Sequence, residues 1–131
     1  MSYTIKYDPR IDCIVSSIKG IIDFELAGNF TRDAARAIRE HNCSRLLGDF
    51  RRATTNLSVL EIDDAAQLVL EVSLESGVPP SFRRAIVVAR DLEDYSFFQS
   101  ASRIRHHNIR VFTDIDEAKA WLSSPEAGPE I

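Results

Sequence analysis

Chemistry in this chain would have to come from polar groups set among apolar runs, and they are densest in Ser44–Ser58. The stretch reads Ser-Arg-Leu-Leu-Gly-Asp-Phe-Arg-Arg-Ala-Thr-Thr-Asn-Leu-Ser. A short apolar strand ends on Asp49, and a polar loop carrying Arg51, Arg52, Thr54 and Thr55 is expected after it. Ser58 and Glu61 have the spacing of a capping box, in which each side chain satisfies an orphan backbone N–H at a helix start. Guanidinium groups beside a helix N-terminus suit an anion. In an open α/β sheet, ligands and partners are met beyond the carboxyl ends of the strands. The segment 49–58 is therefore a candidate partner- or anion-facing loop. Arg51 and Arg52 would be its donors and Ser58 a structural cap, with Thr54 and Thr55 at most vestigial switch positions.

The remaining polar groups point to structure before chemistry. Arg83 and Arg84 precede a strand, whereas Arg51 and Arg52 follow one. In a parallel sheet the two pairs sit at opposite edges and do not converge, and surface arginines neutralising nearby acids are the plainer reading of each. His106 and His107 could ligate metal, but adjacent helix positions point about 100° apart, so a helix-end role is expected, as for His41. Cys13 and Cys43, the two cysteines, have no metal or redox spacing and read as reduced thiols of a cytoplasmic protein. There is no nucleophile elbow, phosphate-cradling glycine loop, HExxH pattern or dinucleotide fingerprint. A non-enzymatic protein without cofactor or metal is expected.

The elements that must position these groups follow from periodicity. Tyr3, Ile5 and Tyr7 alternate with polar residues as in a half-buried strand. After the Asp8-Pro9-Arg10 turn, Cys13–Ile18 forms its hairpin partner, ended by Gly20. Ala27, Phe30, Ala34 and Ile38 recur at helical spacing, with Asp23 as N-cap and Asn42 suited to a left-handed C-terminal position. Arg45–Phe50 is the third strand. Arg84–Ala89, apolar without alternation, is a central strand covered on both faces. Ile109–Phe112 is the last strand, and Asp114 and Glu117 open a final helix with Ala118, Trp121 and Leu122 inside. Asp91 and Asp94 begin the helix before it, which ends in Arg105-His106-His107-Asn108.

Two helices carry more apolar surface than one buried stripe needs. In the helix after Ser58, Ile62, Ala65, Ala66, Val69 and Val72 form one face, and Leu68, Leu70 and Leu74 widen it. A surface helix needs an apolar arc of roughly 100°. The excess marks Leu68, Leu70 and Leu74 as a candidate homodimer face, with packing under the 77–83 loop as the alternative. Gly77, Pro79 and Pro80 stop the helix. In the next helix Phe97 is expected in the core with Ala101 and Ile104. Tyr95 and Phe98 lie on a different side and are candidates to line a pocket or partner groove.

Size and charge bound the rest. With 131 residues the chain fits one domain, residues 1–123, followed by a flexible tail, 124–131. A net charge of −4 argues against non-specific binding to nucleic acid or anionic membrane. Met1–Asp8 carries no apolar core of a signal-peptide pattern and no apolar run comes near membrane-spanning length, so a cytoplasmic protein without a membrane span is expected. The element order is β-β-α-β-α-β-α-β-α, an α/β domain with a mostly parallel five-stranded sheet and the first strand antiparallel at one edge.

These residues also carry a resemblance. The hairpin ending Gly20-Ile21-Ile22-Asp23, the strand ending Asp49-Phe50-Arg51, Arg83-Arg84-Ala85-Ile86-Val87-Val88, and Arg110-Val111-Phe112-Thr113-Asp114 leading to Ala120-Trp121-Leu122 together resemble the SpoIIAA-like family. Those are mostly uncharacterised bacterial proteins with the fold of STAS domains and anti-sigma-factor antagonists. The resemblance covers nearly the whole chain and implies a four-turn β-α superhelix. In the antagonists a serine within an Asp-Ser-Ser-Gly-type motif is a phosphorylation switch. Here Asp49 is followed by Phe50-Arg51-Arg52, so no such switch is expected. The function implied is a binding module acting through an unidentified protein partner. The related lipid-transfer fold offers the alternative of a small apolar ligand carried between sheet and helices. An exposed apolar helix face would favour the first, an enclosed cavity the second.

Overall fold

The computed structural model describes residues 2–79 and 81–125. Pro80, expected as a helix stop, and the expected tail beyond 125 lie outside them. Strand β1 (Tyr3–Asp8) and β2 (Cys13–Ile22) form the antiparallel hairpin that the alternation of Tyr3, Ile5 and Tyr7 predicts. Helix α1 (Phe24–His41), β3 (Arg45–Thr55), α2 (Val59–Ser76), β4 (Arg83–Val87), α3 (Leu92–Ile104), β5 (Asn108–Phe112) and α4 (Ile115–Ser123) follow. The sheet has five strands in sequential order, parallel from β2 to β5.

Sequential order combined with right-handed crossovers puts every intervening helix on the same face. Helices α1, α2 and α3 accordingly pack side by side over that face, while α4 alone contacts β3, β4 and β5 from the other. Two core regions lie under the three-helix layer. One gathers Ile18, Ile22, Phe50, Ala53, Ile86, Tyr95 and Ile109, the other Ile14, Ala34, Ile38, Leu46 and Phe82. A third, under α4, joins Cys13, Leu47, Ala85, Val87, Ala118 and Leu122.

Helix termini form where the cap chemistry predicts. Asp23 accepts from Leu26 N at 2.8 Å, Asn42 is left-handed at φ 48°, and Ser58 and Glu61 make the reciprocal capping box. Asp91 differs. It sits at φ 55° and makes no cap bond, because its carboxylate instead accepts from Thr55 N at 3.0 Å. Asp114 accepts from Asp116 N at 3.1 Å, one position short of a capping box with Glu117.

Three expectations are corrected. Gly20 does not end β2, and the segment after Phe50 is not a loop: β2 runs to Ile22 and β3 to Thr55, paired as Lys19↔Arg52 through Ile22↔Thr55. Each extension satisfies the other's backbone groups, which composition alone does not reveal. The register shifts between Ser17↔Asp49 and Lys19↔Arg52, giving β3 one extra residue. This bulge lets Phe50 and Ala53 both enter the same core region. Lastly, Phe97 and Ile104 are not core residues. They are 39% and 77% exposed, while Tyr95, Ala101 and Ser102 are buried. The inward stripe of α3 runs through 95, 98, 101 and 102, which are the i, i+3 and i+4 neighbours.

Candidate functional site

A cavity of about 120 Å³ lies between the sheet and the α1–α3 layer. Its floor is Ile18, Phe50, Ile86 and Ile109, and its walls include Ala27, Phe30, Ala34, Ile38, Ile62, Ala65, Val69 and Val72. The void has a cause in the sequence. Where α1 and α2 face the sheet, several inward positions are alanines, and close packing would need larger side chains there. Tyr95 and Phe98 from α3 both line the cavity. The Tyr95 ring is buried, 6.3 Å from Phe50, and its hydroxyl is sealed from solvent with no hydrogen-bond partner. Burial, with Asp91 and Asp94 nearby, pushes that phenol well above its ordinary range.

Thr55 and Asp94 form part of the same lining. Thr55 Oγ1 donates a short bond to Asp94 Oδ2, and its backbone N–H donates to Asp91, so the end of β3 is clasped to the start of α3. On this edge of the sheet, where the helices begin, Phe24, Val59, Leu60 and Leu92 are exposed.

The opposite end of the cavity holds Arg84 and Ser73. Arg84 Nη2 donates to Ser73 Oγ at 3.1 Å, and the guanidinium carbon lies 4.9 Å from the centre of the Phe82 ring. Although the residue keeps some exposed area, Nη1 is sealed from solvent and has no partner. Among the described residues no carboxylate pairs with it. Burial draws its pKa down to about 10, which leaves it charged at neutral pH. His107 is 3% exposed with its Nε2 likewise unpartnered. Burial, reinforced by the charges of Arg84, Arg105 and His106, lowers it to about 4.

Sequence reasoning placed Arg84 among surface arginines paired with acids, and the structure corrects this. Strand geometry alone would have found it: side chains two apart share a face, so Arg84 lies on the face of Ile86, one of the residues under the helices. Arg83 points the other way, its Nη1 donating to the carbonyls of Trp121 and Leu122 at 3.0 and 2.9 Å. There it satisfies the free carbonyls at the end of α4.

The 49–58 candidates separate across the sheet. Arg51 grips Asp49 through Nε at 2.8 Å and Nη2 at 2.7 Å, which lowers the Asp49 pKa. Arg52 is exposed in the strand beside Lys19, and Thr54 is half-buried. Thr55 faces Asp91 and Asp94, so a phosphate there would meet carboxylates before arginines. Ser58 is engaged in its cap. Of the three leucines proposed for a dimer face, Leu68 lines the cavity, Leu70 is half-buried and Leu74 is 69% exposed. Among the described residues no group of three His, Cys, Asp or Glu is arranged to hold a metal, and no helix is long and apolar enough to cross a membrane.

No protein-family model matches the chain, and no curated protein matches it. Among solved structures it is similar to an uncharacterised protein of the DUF3478 family, with a SpoIIAA-like fold, from Shewanella loihica PV-4. The two are 20% identical, with a TM-score of 0.59 over 92% of this chain and 94% of that one. The chain is an α/β domain with the SpoIIAA-like fold.

Proposed function

We propose that the protein is a non-enzymatic carrier or sensor of a small apolar ligand held between the sheet and the three-helix layer. The observation that supports this is the cavity itself. At about 120 Å³ it is comparable with the roughly 150 Å³ cavity that takes up benzene in an engineered protein core. Its lining is almost wholly aliphatic and aromatic, with few polar groups, which is the usual make-up of a ligand site. The unpaired thiols of Cys13 and Cys43 support a cytoplasmic location. The reading is tested by NMR titration with octan-1-ol. Methyl resonances of Ile62, Val69, Ile86 and Ile109 should shift saturably, and the shifts should vanish in Ala65→Phe, which fills the void. Absence of shifts in the wild type with octan-1-ol and with its acid analogue octanoate alike, or shifts that survive the filled cavity, would overturn the reading.

A second reading, a module that binds protein partners including a second copy of itself, is favoured by Leu60 and Leu74, which are 77% and 69% exposed on α2. The two readings are compatible, since the cavity lies on the inner side of that helix and these leucines on its outer side.

A further inference from the structure

An arginine sealed into an apolar cavity without a carboxylate is costly, because a buried charge loses its hydration and gains nothing from water in return. The cost is relieved when an anion joins it. Arg84 is close to that position: Nη2 is held by Ser73, Nη1 is covered and without a partner among the described residues, and the residue lines the cavity together with Val72, Ile38 and Leu46. The neighbouring Phe82 ring fixes the guanidinium plane from outside the lining. A guanidinium pre-oriented in this way matches the fork of a carboxylate, and it offers a donor that no protein group uses.

We infer that Arg84 and Ser73 form an anion subsite at the end of the cavity away from Thr55 and Asp94, so that the ligand is an amphiphilic monoacid. Its carboxylate pairs with the Arg84 guanidinium, whose covered Nη1 turns toward the cavity to meet it, and its apolar chain extends between Phe50 and Ile62 toward Tyr95 and Phe98. The inference rests on the apolar-ligand reading above and adds the head group to it.

The test compares octanoate with octan-1-ol, which share a chain and differ in charge. Binding is followed by NMR at neutral pH in the wild type, Arg84→Gln and Arg84→Lys. Octanoate should bind the wild type about tenfold or more tightly than the alcohol, as a charge-assisted bond in a dry site implies. That preference should disappear in Arg84→Gln and return in part in Arg84→Lys. A direct readout guards against variants that fail to fold: in the wild type, octanoate should shift the Arg84 side-chain nitrogen resonances and octan-1-ol should not. If octan-1-ol binds but octanoate is no tighter, or leaves the Arg84 resonances unmoved, the anion subsite is wrong and the carrier stands. If neither binds, the carrier reading itself fails.

Discussion

His107 is a buried histidine held neutral, and its consequence is measurable. In the unfolded chain it titrates near 6.5, while in the fold burial and the surrounding cations lower it to about 4. Between those values the unfolded state binds more protons than the folded state, so stability rises with pH across this window and falls as the pH drops through it. The contribution is on the order of 3 kcal/mol between pH 6.5 and 4, with no further change below. Urea unfolding of the wild type and of His107→Gln at pH 7 and pH 4.5 should show the wild type losing more stability on acidification. Equal losses would assign the slope to groups other than His107; the lowered carboxyls of Asp49 and Asp8 act in the same direction but mainly below the ordinary aspartate range, under this window. His107 could be placed near a helix end from its neighbours in sequence. Its burial could not, because that depends on α3, β4 and β5 meeting around it.

At the scale of elements, the three helices over the sheet are spaced by small residues. Gly28 of α1 is buried where α1 meets α2, and a Cβ added there would lie 3.1 Å from Arg32 Nη1 and 3.4 Å from Leu68 Cδ2. The first of these is the tip of an exposed, flexible side chain, and the second is ordinary contact. Removing a helix-interior glycine recovers up to about 1 kcal/mol of helix propensity. Gly28→Ala should therefore stabilise the protein by roughly 0.5–1 kcal/mol in chemical denaturation. Destabilisation would show that the Arg32 side chain cannot give way. Gly48 is the contrasting case. A Cβ there would press on the Phe50 ring at 3.1 and 3.2 Å, and that ring is packed in the core and forms the cavity floor.

For the whole molecule, α2 is the element with two loyalties. Its inner face, Ile62, Ala65, Val69 and Val72, walls the cavity, and its outer face presents Leu60 and Leu74 to solvent. If the outer face joins a second copy, sedimentation should find a wild-type dimer and a Leu74→Glu monomer. A side chain this exposed makes few contacts within the fold, so the variant should unfold within about 0.5 kcal/mol of the wild type. A wild type that sediments as a monomer at every concentration removes the homodimer.

What the sequence determined by itself was whatever depends on neighbours within a few residues. Ser58 with Glu61 and Asp23 with Leu26 are caps closed inside one turn. The alternation in Tyr3–Tyr7 sets one strand face, and the β-α succession compels a parallel sheet with its first strand at the edge. The tertiary structure decided what depends on which elements lie opposite. Arg51 and Arg84 are each one of a pair of adjacent arginines, yet one binds Asp49 at the surface, while the other has its Nη1 sealed from solvent with no acid on it among the described residues. Pairing with β2 turned an expected loop into strand and carried Thr55 to Asp94. Alanines scattered over two helices became a void only when both helices closed over the same part of the sheet. A local pattern specifies a face, but the free energy of a buried charge or an unfilled space depends on what the rest of the chain brings against that face.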